Sequence, residues 1–120
     1  MVRISPDVGR NRIIITLSGA PSSAQALASE RELRDALSRL RAPVDVLSDI
    51  RELETMEAFL PEDFRRLGEI LRAFGVRKTV RVVGKRAQAA VQMERLSRRL
   101  TSHTAHLAFS LDEAEQVFGK

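Results

Sequence analysis

The sequence predicts an α/β domain of order ββαβαβαβα, with a mixed sheet of about five strands packed against four helices. Short β-branched runs bounded by Gly, Pro and Asn point to the strands. The stretches between them repeat apolar residues at helical spacing, and capping residues mark where those helices begin and end. A length of 120 residues suits a single domain, 1–120, with one core. With 43% hydrophobic and 30% charged residues, the composition is that of a folded protein and not of a disordered tail.

Val2–Ile4 and Ile13–Leu17 are separated by Pro6, Asp7, Gly9 and Asn11, the pattern of a hairpin. Ser22 or Ser23 then caps a helix whose core side is Ala26, Leu33, Ala36, Leu37 and Leu40, and Pro43 ends it. Val44, Val46 and Leu47, running into Asp49 and Ile50, form a strand covered on both sides. The next helix opens at Pro61 with Glu62 and Asp63 in its first turn, buries Phe64, Leu67, Ile70, Leu71 and Phe74, and stops at Gly75.

Thr79–Val83 reads as a strand and Arg86–Leu100 as a helix, with Ala89, Met93, Leu96 and Leu100 toward the core and Arg95, Arg98 and Arg99 away from it. Ala105–Phe109 reads as the last strand. Ser110 and Glu113 make a capping box for a short helix carrying Leu111, Ala114, Val117 and Phe118.

The chain contains no cysteine, which excludes disulfides, thiolate metal sites and cysteine nucleophiles and fits a reducing, cytoplasmic setting. The stretch Met1–Pro6 lacks the apolar region of a secretion signal, and no run is long enough for a membrane span. The net charge of +4 is uneven. Acids outnumber bases from Ser29 to Arg72, whereas Arg77, Lys78, Arg81, Lys85, Arg86, Arg95, Arg98 and Arg99 face the single acid Glu94. That stretch predicts either a solvated basic face or a surface that steers an anionic partner.

The sequence carries no recognisable catalytic motif. Val83-Gly84-Lys85-Arg86 resembles the tail of a phosphate-binding loop, but Thr79 stands where the upstream glycine belongs and Arg86 where a Ser or Thr should hold the metal. Lys85 and Arg86 at a helix N-terminus remain a candidate anion site, with flexible surface cations as the plain alternative. His103 and His106 lack further ligands for a metal, and no nucleophile elbow is present. Neither catalytic residues, a metal site nor a cofactor is therefore expected. Without Trp or Tyr to stack bases, nucleic-acid binding would rest on phosphates alone, weak and salt-dependent.

Val46–Phe64, the strand Val80–Gly84 and the ending AFSLDEAEQVF together resemble the STAS family, especially its SpoIIAA-like branch of anti-sigma factor antagonists. The likeness spans nearly the whole chain. In that family a strand-end aspartate precedes an Asp-Ser-Ser-Gly turn whose first serine a partner kinase phosphorylates. The resemblance aligns Asp49 with the strand-end acid, Met56 with the apolar residue before the turn, Glu57 with the turn's aspartate and Ala58 with the serine. The phosphoacceptor is absent here, Phe59 and Leu60 replace small residues, and Thr55 is the nearest hydroxyl.

What the resemblance implies is a non-enzymatic regulatory module that binds a protein, a regulatory protein or kinase-like factor, through Thr55, Met56, Glu57, Ala58, Phe59 and Leu60. Met56, Phe59 and Leu60 could form an exposed knob or a hydrophobic staple folded under the helix. Glu52, Glu54, Glu57, Glu62 and Asp63 would rim the turn. A binder of a small anionic ligand or lipid headgroup is the first alternative and a nucleic-acid binder the second. Homo-oligomers through a sheet edge or the Phe59 surface are a further expectation.

Overall fold

The N-terminal β-branched runs pair as an antiparallel hairpin in a computed structural model of the chain, which describes residues 1–84, 90–95 and 105–119. Strand β1 (Val2–Asp7) places Val2 opposite Leu17 and Asp7 opposite Arg12 of strand β2 (Arg12–Gly19). β1 runs past Ile4 because it is an edge strand, where the missing N–H of Pro6 is not needed by a further neighbour. Asn11 ends the turn in the left-handed region at φ 51°, which Asn tolerates better than most side chains. Its side-chain amide donates to the carbonyls of Arg41 at 2.7 Å and Pro43 at 3.2 Å and accepts from the Arg41 N–H at 2.8 Å. The hairpin turn thereby pins the loop that leads into the third strand.

Helix α1 (Ser23–Leu37) begins at Ser22, whose hydroxyl accepts from the Gln25 N–H while the Gln25 side chain accepts from the Ser22 N–H. Strand β3 (Val44–Leu53), helix α2 (Pro61–Phe74) and strand β4 (Val76–Val83) follow. Residues 90–95 are helical and form α3, and strand β5 (His106–Ala108) and helix α4 (Leu111–Phe118) complete the described chain. The strands lie in the order β1-β2-β3-β4-β5, with every pair after the hairpin parallel. This is the mixed α/β sheet expected.

The element boundaries differ in instructive places. β3 continues past Ile50 to Leu53, and β4 begins at Val76 instead of Thr79 because Gly75, at φ 110°, turns the chain directly from α2 into the strand. β5 is shorter than Ala105–Phe109. Ser110 caps α4 by accepting from the Glu113 N–H at 3.1 Å, but Glu113 returns to the Phe109 N–H at 2.7 Å, one residue beyond a regular capping box. Ala89, Leu96 and Leu100 of the third expected helix lie outside the described residues.

Strand alternation sorts the core onto the sheet's faces. Leu17, Ile50, Leu53 and Val83 cluster with Ala26, Met56, Phe59 and Met93, and Ile13, Val44 and Val46 with Leu33, Ala36, Leu37 and Leu40, all on the side of α1. On the opposite face Leu47, Val80, Val82 and Ala108 pack against Ala114 and Phe118 of α4.

α2 departs from its expected burial. Phe64, Leu67, Ile70, Leu71 and Phe74 are half-buried, and Asp63 is the helix's only buried residue. A cavity of about 270 Å³ lies between α2 and the sheet, so much of this stripe faces space where the pattern implied side chains.

Candidate functional site

The turn 54–60 leaves β3 at the carboxyl end of the parallel strands, the edge where open α/β sheets place their ligand contacts. Its backbone is held from all sides. The N–H groups of Glu54 and Thr55 donate to the Gly19 carbonyl at 2.8 and 3.3 Å, and that of Met56 donates to Oε1 of Gln92 on α3 at 3.0 Å. The Ala58 carbonyl accepts from the Ser23 N–H at 3.0 Å and the Ser23 hydroxyl at 3.3 Å. Thr55 Oγ1 accepts from the Glu57 N–H at 3.2 Å, so this hydroxyl shapes the turn.

The apolar trio of this turn divides. Met56 and Phe59 are each 3% exposed and pack with Leu17, Ala26, Ile50 and Met93, whereas Leu60 is 55% exposed. The staple arrangement therefore describes Met56 and Phe59, and no Phe59 surface is available for a partner or for self-association. Ala58 and Glu57 are exposed beside Leu60, as are Glu52, Glu54 and Glu62. Asp63 does not join this rim. Its buried carboxylate accepts from the Leu60 N–H at 3.3 Å and pairs at 2.7 Å with Arg66, which also reaches Glu30 of α1 at 3.2 Å.

Among the described residues of the basic stretch, Arg77, Lys78 and Arg81 are used inside the fold. Arg77 grips Asp45 with paired hydrogen bonds of 2.8 and 2.7 Å and donates to the Phe118 carbonyl at 3.2 Å, and Lys78 Nζ donates to the Val117 carbonyl at 2.8 Å. These cations satisfy the C-terminal carbonyls of α4 and complement its dipole. Arg81 is 5% exposed and pairs with Glu94; burial pushes its pKa down against the opposing pull of that carboxylate. Lys85 and Arg86, the candidate anion site, lie outside the described residues, as do Arg98, Arg99 and His103. Of the described bases in this stretch, Lys78 and Arg95 have no ion pair, and Lys78 donates instead to the Val117 carbonyl. Gly84 has a packing role: a Cβ there would stand 2.3 Å from the Arg51 carbonyl oxygen of β3.

The cavity beneath α2 has Ile15, Leu17, Val46, Leu67 and Met93 among its walls and the polar side chains of Ser48, Thr79 and Arg81 on its sheet side. Ser48 and Arg81 are register partners on β3 and β4. Sequence periodicity could not reveal this space, because it marks which face of α2 is apolar and not how far that face stands from the sheet. Among the described residues no three His, Asp or Glu side chains converge to hold a metal ion, and no helix is long and apolar enough to cross a membrane.

No protein-family model matches the sequence, and no curated protein does.

Proposed function

We propose that this chain is a non-enzymatic, STAS-like protein-interaction module that docks a regulatory protein or kinase-like factor through the turn 54–60 and the entrance of α2. The observation that carries this reading is Leu60: it is 55% exposed at the head of a helix, while Met56 and Phe59 beneath it are buried. An apolar side chain on a fixed base costs little entropy to immobilise, which is the property of an anchor residue. Glu57 and Glu62 flank it in the sequence and suit a partner with a basic rim around an apolar pocket. Ala58 in the phosphoacceptor position makes this docking independent of a serine switch.

The test compares affinity capture by the wild-type chain with capture by Leu60→Asp and by Glu57→Lys, each shown by circular dichroism to keep its fold. A protein retained by wild type and lost from both variants supports the reading. Equal recovery by all three, or no protein partner at all, rejects it.

A further inference from the structure

We propose that the cavity beneath α2 is a binding site for a small, uncharged, largely apolar molecule carrying one hydroxyl or carbonyl group. At about 270 Å³ it lies just below the range of small-molecule sites, roughly 300–1,000 Å³, and well above the roughly 150 Å³ apolar cavity that takes up benzene. Its walls are aliphatic over most of their area, so burial of a hydrocarbon body is favourable by the ordinary transfer of apolar surface out of water.

The head group is specified by the sheet side of the cavity. Ser48 is 8% exposed and lines the space together with Thr79, and neither hydroxyl has a hydrogen-bond partner among the described residues. Both residues line the cavity, and a ligand hydroxyl or carbonyl would take up the hydrogen-bonding capacity that their hydroxyls leave unused. The charge follows from Arg81, the register neighbour of Ser48, whose positive charge is matched by Glu94; the other charged residues of the lining, Arg65, Glu69 and Arg72, belong to α2 and not to the sheet side that carries the two hydroxyls. An anionic head would have to compete with that carboxylate in a low-dielectric setting, so the neutral head is preferred. Entry is on the α2 side, where the half-buried stripe of the helix borders the cavity.

The probe is 1-octanol, titrated into the full chain while methyl resonances are followed by NMR, with octanoate at neutral pH in parallel. The expected result is saturable shifts confined to Ile15, Leu17, Val46, Leu67 and Met93, with octanoate at least about tenfold weaker. Ser48→Ala weakens octanol by about tenfold through loss of the head-group hydrogen bond. Ser48→Leu fills the space, keeps or raises Tm and abolishes the shifts. Absence of saturable shifts in the folded wild type, or unchanged binding by Ser48→Leu, overturns the site; octanoate binding as tightly as octanol overturns the neutral head group. Leu60→Asp should leave octanol binding unchanged, so failure of the docking surface and failure of the cavity are separately visible.

Discussion

The guanidinium carbon of Arg12 stands 3.9 Å from the centroid of the Phe118 ring, and this stack fastens α4 to the face of the sheet opposite α1 and α2. Arg12 is 5% exposed and also pairs with Glu115, one turn before Phe118. Arg77 and Lys78 hold the same end of the helix through its last carbonyls. A helix of 8 residues has little stability of its own, so these contacts and the Phe118 ring decide whether it stays folded. Phe118→Ala should cost about 3 kcal/mol or more in urea unfolding. Arg12→Met keeps the apolar stem but loses the charge over the ring, and should cost at most about 1 kcal/mol. If Arg12→Met were as damaging as Phe118→Ala, the charged contacts, and not the ring's packing, would hold α4.

Gly84 makes a separate prediction. A Cβ at this position meets the backbone of Arg51, with the carbonyl oxygen at 2.3 Å and Cα at 2.9 Å, and the backbone of a central strand cannot yield as a side chain can. Gly84→Ala should therefore lower stability by about 2 kcal/mol or more, a Tm drop of roughly 10 °C. Gly9→Ala is the control, since its added Cβ finds only the Asp7 carboxylate at an ordinary 3.8 Å. Its thermal melt should match that of wild type. The same close strand packing accounts for the glycine of Val83-Gly84-Lys85-Arg86.

The legible part of this fold is the part governed by local chemistry. Period-2 and helical patterns placed the strands and helices in order, and the stops at Pro43 and Gly75 are visible because those residues act on their own backbone. Phe59 was ambiguous for a different reason. An apolar residue before a helix has the same local pattern whether it folds under the helix or projects from it, and only the tertiary neighbours Leu17 and Met93 decide. Arg77, Lys78 and Arg81 read as a basic patch because their partners Asp45, Val117, Phe118 and Glu94 are distant in sequence or belong to other elements. The cavity left no signal, since Ser48 and Thr79 look like ordinary polar interruptions of strands.

The pair Asp49 and Arg51, two residues apart on β3, predicts a pH dependence. Burial alone would raise the Asp49 pKa, but Arg51 donates to it through its side chain at 3.0 and 2.8 Å and its backbone N–H at 3.1 Å, and the net effect is a pKa below the ordinary 3.8. A carboxyl more acidic in the folded state stabilises the fold above its unfolded pKa, and that contribution is lost as pH falls through the folded value. Urea midpoints measured from neutral pH downward should fall through and below the ordinary aspartate range. Arg51→Gln should reduce that acid-side loss. An unchanged pH profile in the variant would mean that Arg51 is not what holds Asp49 ionised.

Phe59 and Leu60 are adjacent, yet substitution by aspartate should separate them cleanly. Phe59→Asp places a carboxylate among Leu17, Ala26, Ile50 and Met93, where a charge has no partner, and should unfold the chain or cost at least about 3 kcal/mol. Leu60→Asp changes an exposed side chain at the helix N-cap, where aspartate is a favoured residue that can accept from a first-turn N–H and complements the dipole. Its stability should stay within about 1 kcal/mol of wild type or rise slightly. Urea unfolding of both variants beside wild type checks this. A folded, stable Phe59→Asp would show that the turn does not pack under α2 and would return Phe59 to the docking surface; a destabilised Leu60→Asp would remove Leu60 as a surface anchor.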